Sequence, residues 1–539
     1  MRKIFYVFYL ITLTLISSDS YSQLGNKNMV LLSNINTHQA PYSAVWGYKA
    51  PDGREYAILG CNDGTQFVDI TDVTNIHEVG FVPSTAPGDF YNLWREMKVY
   101  SHYAYIVSEV NNSGFQIVDL QYLPDSIHYV KKFLPAGYSR THSISQSGPY
   151  LYANGASIGQ GITVFDLTVD PETPVMRGSF NNEYVHDCRV VNDTIYAANI
   201  YSGKVSIINA VNKNSLSLIT SFQNLPGAGP HNIAVTEDRK YLLVTDEIGT
   251  APFRLKIWNI EDMNNITFLS TWMPTGIPGT IVHNVETYGN YALIGHYEAG
   301  VRLVDISNPY APNEVAWYDT YPGSNDQDYN GCWGAYMFPT GKIIASDRST
   351  GLYVLRTTFN ISTTIQGFYN SSANSLNQKD IVKAYLRNTA FPYSIIDSAT
   401  SLIDSLTFTG NFLFNNALSG TYYIVLNHRN CLETWSKING EIYNPMNMNS
   451  YDFTNSVAKA YGNNMTLVDN SPVRYAMYSG DINKDEIIDA GDVSLVDNAA
   501  SVSLSGYVAE DLTGDNLVDA SDASIVDFNS SVNSIVVKP

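Results

Sequence analysis

The stretch "TIVHNVETYGNYALIGHYEAGVRLVDIS" (residues 280–307) contains three runs in which apolar and polar residues alternate, separated by Gly-Asn and Glu-Ala-Gly turns. Alternation of period two between turn residues marks antiparallel strands, because successive side chains of a strand point to opposite faces. A histidine, His283, heads the first run. The same unit returns along the chain as an aromatic-rich strand, a turn, a strand ending in Val-Asp-Ile or a close variant, and a short apolar strand. Copies occupy 56–82, 103–120, 150–180, 195–222, 241–272, 291–318 and 342–357, seven in all. Each is preceded by a further alternating stretch such as "HNIAVTED" from His231, so a full unit holds four strands. Four strands returning about every 45 residues predict a β-propeller, whose blades bury their faces on their neighbours.

The seventh copy stops after its third strand at Thr357, while "NMVLLSNIN" (28–36) stands before the first copy as an orphan fourth strand. Pairing the two closes a seven-bladed ring over 28–357 and removes the open edge that invites aggregation. These repeats resemble the LVIVD-repeat propellers of the choice-of-anchor B family, through "FVDIT" at Phe67, "QIVDL" at Gln116, "RLVDIS" at Arg302 and the His-headed strands. The resemblance implies a secreted protein carrying a surface-attachment module. It implies no particular chemistry.

The recurring histidines are His142 in "THS", His186 in "VHD", His231 in "PHN" and His283 in "VHN", with Trp94 of "LWRE" and Trp333 of "CWG" at the comparable place. If the first strand of each blade is innermost, these side chains gather at one mouth of the central channel. Neutral imidazoles converging there suit a divalent transition metal, and Glu96, Glu109, Asp187, Asp246 or Glu247 could complete its shell or act as acid or base. Two other readings compete. A histidine at a fixed place can tie a loop to the next blade through a hydrogen bond, and Trp94, Arg95 and Trp333 can form a rim on which a sugar or peptide stacks. His296 lies off the repeat position and reads as an ordinary strand residue. No P-loop, G-x-G-x-x-G or H-E-x-x-H string occurs.

The formal charge of −20 and the 39 tyrosines argue against a nucleic-acid binder, which needs a basic surface. Arg2 and Lys3, the apolar run 4–16 and the small polar residues 17–22 read as a removable signal peptide (1–22) and hence as secretion. An N-terminal membrane anchor would need a longer apolar run, so no membrane span is expected. Cys61, Cys188, Cys332 and Cys431 contain no CxxC pair; export permits one or two bridges, with three possible pairings.

Beyond the repeats, 380–388 and 405–436 alternate again and predict a small β-sandwich over 363–477. "FTGNFLFNNALSGTYYIVLNHRN" resembles prealbumin-like modules, which implies a spacer, and His428 and Arg429 within it read as an exposed polar turn. Residues 479–539 hold 12 Asp plus Glu against 2 Lys, about half of the net charge. "DINKDEIIDAGD" (481–492) places oxygen side chains at positions 1, 3, 5, 9 and 12 of an EF-hand-like loop: Asp481, Asn483, Asp485, Asp489 and Asp492. "DLTGDNLVDASD" (511–522) repeats them as Asp511, Thr513, Asp515, Asp519 and Asp522, with the carbonyls of Ile487 and Leu517 at position 7. Two Ca²⁺ sites are expected, each followed by a short apolar helix. Paired loops closing on Asp resemble a type I dockerin over 479–533, which implies a cohesin-like partner. Glu486 and Asn516 at position 6, where Gly is preferred, depart from the pattern, and no basic pair for gripping a cohesin is evident.

The expected fold is therefore mainly β: a seven-bladed β-propeller, a small β-sandwich and a small α-helical dockerin- or EF-hand-like module. The expected role is a secreted modular protein whose propeller presents a binding surface to an extracellular ligand. Its rival is a metal-dependent propeller lyase or hydrolase acting on extracellular polysaccharide.

Overall fold

The computed structural model describes residues 25–539, so the signal peptide expected at 1–22 lies outside the described residues. Among the described residues, seven sheets each hold four strands of one repeat unit, six of them in chain order and one completed by an N-terminal strand, and one of the six is extended by a short fifth strand. The opening stretch supplies three strands of that sheet, Val285–Tyr288, Tyr291–Gly295 and Val301–Asp305, and Asn313–Tyr318 is the fourth. Burial grades across each sheet for a physical reason. The middle strands, such as Glu55–Cys61 and Gly64–Asp69, are buried throughout, because both faces meet neighbouring sheets. Last strands such as Val175–Phe180 are mostly exposed.

The first strands of the seven sheets are Val45–Lys49, Arg95–Tyr100, Ser143–Ser147, Asp187–Val191, Pro230–Val235, Val285–Tyr288 and Cys332–Met337. Each touches the next and the last touches the first, so their contacts run in a closed cycle. Cores form between sheets. Tyr56, Ile58 and Phe67 pack on Met97, Ala104 and Ile106 of the following sheet. Leu59 and Val68 pack on Ile344, Leu352 and Val354 of the final one. Backbone approach between sheets is close: a Cβ on Gly295 would sit 2.7 Å from Gly334 Cα, which only glycine avoids.

The final sheet is composite. Met29–Ile35 pairs antiparallel with Gly351–Thr357, Met29 opposite Thr357 and Ile35 opposite Leu352, the partner expected for the orphan strand. Asn26–Lys27 adds an edge to Asn313–Tyr318 of the preceding sheet.

After Thr357 a second β unit begins at once. Phe359–Ser362 pairs with Thr409–Phe412 and Ser450–Asp452, and faces a five-stranded sheet centred on Asp380–Asn388 and Gly420–Asn427. Ile361, Val382, Leu386, Phe412 and Ile424 fill the space between. Two helices close the chain, α1 (Ala490–Ser501) and α2 (Ala520–Ser531). Each starts in a capping box, Asp489 with Asp492 and Asp519 with Asp522, which satisfies amides the first turn leaves free. No helix among the described residues is long and apolar enough to cross a membrane.

Two expectations are corrected. All four cysteines are free, each buried in a different hydrophobic cluster and too dispersed to bridge. His428 is buried, not exposed, because the C-terminal segment packs over it.

The composite sheet makes a measurable demand on its N-terminal strand. Met29 is fully buried, whereas Leu31 is 41% exposed. Met29→Ala is expected to cost about 2–5 kcal/mol in urea unfolding and Leu31→Ala under about 1 kcal/mol. Equal small losses would mean that the strand does not close the last sheet.

Candidate functional site at the channel mouth

The four histidines occupy equivalent places at the heads of consecutive first strands. The backbone N–H of His142, His186 and His283 each donates to the second strand of its own sheet, at Asn154 O (3.0 Å), Ala198 O (2.9 Å) and Gly295 O (3.1 Å). That register holds the side chains at the end of the channel. Their rings stand in a row, with centroids 4.0 Å apart for His142 and His186, 4.2 Å for His186 and His231, and 4.2 Å for His231 and His283. Trp333 continues the row 4.8 Å from His283. With Trp94, Glu96, Asp187 and Asn284 they line a recess of about 310 Å³. Below it, alternate residues of the same strands line the next layer: Lys98 after Glu96, Arg189 after Asp187, Glu286 after Asn284.

The hydrogen bonds divide the histidines. His142 Nδ1 meets Glu109 Oε1 at 2.6 Å, and although burial opposes it, this carboxylate raises the imidazole above its ordinary pKa. His186 Nδ1 bonds the His231 carbonyl (3.2 Å) and His283 Nδ1 bonds the Trp333 carbonyl, each reaching into the next sheet. The His283 carbonyl stands beside His231 in the same relation, outside hydrogen-bond geometry. Burial first, and the adjoining imidazoles second, hold His186 and His283 well below the ordinary value, so both are neutral. Glu247 faces two of the rings, with Oε2 3.4 Å from His231 Nε2 and Oε1 3.6 Å from His283 Nε2, and its Oε1 accepts Tyr297 Oη–H at 2.8 Å. His186, His231 and Glu247 each offer a ligand atom within 4.8 Å of the others, the tightest such group among the described residues.

The other carboxylates have separate surroundings. Asp187 accepts from Asn232 Nδ2 (2.5 Å) and the Cys188 amide (2.7 Å), and burial together with Glu96 pushes it up to about 6. Glu96 pairs with Lys98 at 3.1 Å. Asp246 does not reach the recess: it is buried against Lys256 at 2.6 Å and Asn224 at 2.8 Å. Arg95 also borders the recess, while its guanidinium bonds Gln116 (3.1 Å) and Asn92 (3.2 Å). Trp94 is half-buried against Phe90, 5.2 Å away. His296 is buried beside Trp272, away from the row. Sequence reading missed Tyr297, Asn284 and Asn232. It also passed over a G-x-S-x-G string at 155–159, which forms a turn whose Ser157 hydroxyl accepts the amides of Ser139 and Arg140, not a nucleophile elbow.

At the other end of the chain, the acidic loops fold tightly around their own amides. Asp492 accepts from Ile482 (2.7 Å) and Asn483 (3.2 Å), and Asp522 from Leu512 (2.7 Å) and Thr513 (2.8 Å), the same two places in each loop. Asp511 accepts the amides of Gly514, Asp515 and Asn516. Glu486 and Asn516 turn the chain at φ 76° and 69°, the left-handed conformation for which Gly is preferred at position 6. Asp481 Oδ1 is buried without a partner, and burial pushes that carboxyl up to about 6. An unsatisfied buried oxygen among hard donors fits a Ca²⁺ ligand set. The remaining loop side chains, Asn483, Asp485, Asp489, Thr513, Asp515 and Asp519, stand in sequence around these turns, with Asn483 donating to Asp485 at 2.9 Å.

Residues 279–320 match the LVIVD repeat, a family linked to β-propeller folds. No curated protein matches the chain. Among solved structures the chain is similar to the WD40 β-propeller domain of Doa1, at 11% identity over 61% of this chain and 96% of that one, with a TM-score of 0.43. It is also similar to a protein from Lactobacillus plantarum, at 12% identity over 70% and 99%, with a TM-score of 0.44. Likenesses this distant say nothing of function. The propeller-like architecture rests on the sheets themselves.

The loops are anchored through a buried polar group in the preceding β unit. Although burial opposes it, Asp380 is held well below the usual carboxylate range by His428, whose Nε2 lies 3.1 Å away in ion-pair contact, and by the hydrogen bonds it accepts from Tyr507 Oη (2.6 Å) and Arg429 Nε (2.9 Å). His428 is raised above its ordinary 6.5, as Cys431 and Asp380 outweigh its burial. The raised imidazole contributes stability below 6.5 that is lost as pH rises through its folded value. The lowered carboxyl contributes stability above 3.8 that is lost as pH falls through its own. Asp380→Asn is expected to cost about 3–5 kcal/mol near pH 6 and distinctly less near pH 9, read from thermal melting at both. A pH-independent loss would refute the ion pair.

Proposed function

We propose that this chain is a secreted modular binding protein. A seven-bladed propeller over 28–357 presents its channel mouth to an extracellular ligand, a β-sandwich spacer follows, and a dockerin-like module loaded with two Ca²⁺ attaches the protein to a cohesin-like partner or a surface. The observation that carries this reading is the closed cycle of first strands, which leaves one recess rimmed by Trp94, four imidazoles and Trp333. A ring of fixed strands with an aromatic and polar mouth is a binding platform, because its side chains are ordered before any ligand arrives. The choice-of-anchor B resemblance supports secretion and attachment. The unpartnered Asp481 oxygen and the repeated amide pattern at Asp492 and Asp522 support the calcium module.

A second reading, a metal-dependent lyase or hydrolase acting on extracellular polysaccharide, is favoured by one observation, the grouping of His186, His231 and Glu247. Polysaccharide cleavage abolished by His186→Ala with His231→Ala would select it.

Calorimetric titration of the full chain with Ca²⁺ is expected to show about two saturable sites, lost in Asp481→Ala plus Asp511→Ala while the propeller's melting transition is kept. A flat titration of the unmodified chain would overturn the attachment half of the proposal. For the mouth, binding to an array of extracellular oligosaccharides should disappear in Trp333→Ala at unchanged melting temperature. Binding that survives the substitution would place the ligand elsewhere.

A further inference from the structure

We propose that the channel mouth holds one divalent first-row transition-metal ion through His186, His231 and Glu247, with His283 beside them as a further donor. The inference rests on reading the mouth as a binding site, and it names the class of ligand.

Three features converge. The first is tautomer. His186 and His283 turn Nδ1 to carbonyls of the next sheet, which fixes Nδ1 as the donor and, in the neutral ring, leaves Nε2 of each as the acceptor. The second is opposition of acceptors. Glu247 Oε1 faces His283 Nε2 at 3.6 Å and Oε2 faces His231 Nε2 at 3.4 Å, neither contact being a hydrogen bond. A carboxylate turned toward the His283 lone pair inside a largely buried recess repels it unless a cation lies between them, and the same carboxylate faces His231, whose Nδ1 is buried without a partner. Donors held about 2.0–2.1 Å from a tetrahedral ion lie about 3.3–3.5 Å apart, close to the Glu247 separations from His231 and His283, while the His186, His231 and Glu247 donors lie within 4.8 Å of one another. The third is orientation. Tyr297 Oη–H fixes Glu247 at 2.8 Å, and carbonyls fix the His186 and His283 imidazoles, the outer-shell arrangement that metal sites use. Imidazole and carboxylate together suit zinc, iron, copper or nickel better than calcium, so this site and the terminal loops select different ions.

The test uses the full chain, stripped with chelator and kept in excess Ca²⁺ so that the acidic loops are occupied. Co²⁺ is the probe, followed by its visible ligand-field absorption. One equivalent should produce bands of a four- or five-coordinate ion, and Zn²⁺ should displace it. His231→Ala and Glu247→Gln should each weaken binding at least about tenfold, and Tyr297→Phe about tenfold, with unchanged circular dichroism and melting. His77→Ala, exposed on the last strand of its sheet and away from the mouth, should leave affinity within about threefold. A spectrum identical to aqueous Co²⁺, or bands that persist in both His231→Ala and Glu247→Gln, would overturn the proposal. Oligosaccharide binding measured on the same metal-free sample separates the two ideas, since the mouth could bind a ligand with no ion in it.

Discussion

Seven sheets converging on one axis leave their first strands with edges that must be satisfied by neighbours and not by their own ladder. The ties are visible and directional. Ser43 Oγ donates to Arg95 O, Ser143 Oγ to His186 O, His186 Nδ1 to His231 O, and His283 Nδ1 to Trp333 O, each crossing to the next sheet. Thr245 Oγ1 donates to His283 O in the same manner. A single such bond adds only about 0.5–1.5 kcal/mol net, yet a buried carbonyl left unpaired costs about 1–3 kcal/mol. The asymmetry favours a donor near the head of a first strand, as Ser43, Ser143, His186 and His283 supply.

Much of this was legible in the sequence because it is local. Period-two alternation located the three strands of the opening stretch, and the repeat that lacks a last strand revealed where Met29–Ile35 goes. What stayed hidden depends on contacts between distant segments. Tyr297 reaches Glu247 across 50 positions and Tyr507 reaches Asp380 across 127, and no pattern in one segment announces its partner in another. His428 was misread for this reason: a polar turn looks exposed until something packs over it.

What packs over it is the pair of acidic loops. Lys484, at position 4 of the first loop, donates to the carbonyls of His428 (2.6 Å) and Cys431 (2.7 Å), and Asn430 donates to the carbonyl of Asp511, at position 1 of the second (3.0 Å). Both loops are therefore shaped partly by the β unit before them. Holding Glu486 and Asn516 at positive φ costs roughly 1–2 kcal/mol each relative to glycine, and these contacts supply the compensation. Such anchoring places the cost of loop shape on folding, which lets a loop without glycine at position 6 keep its turn.

At the channel mouth, the two readings of the histidines are not exclusive. A structural tie through Nδ1 is what determines the state of Nε2: once the ring donates to a carbonyl, its remaining nitrogen is an acceptor, and burial prevents a second proton from cancelling it. A serine at the same place would make an equally good tie and present nothing to the recess, as Ser43 does in the first sheet. The protein uses histidine in four consecutive sheets and places Glu247 opposite two of the rings. Structural need accounts for a donor at these positions; it does not account for choosing, side by side, the one donor that also turns a lone pair inward.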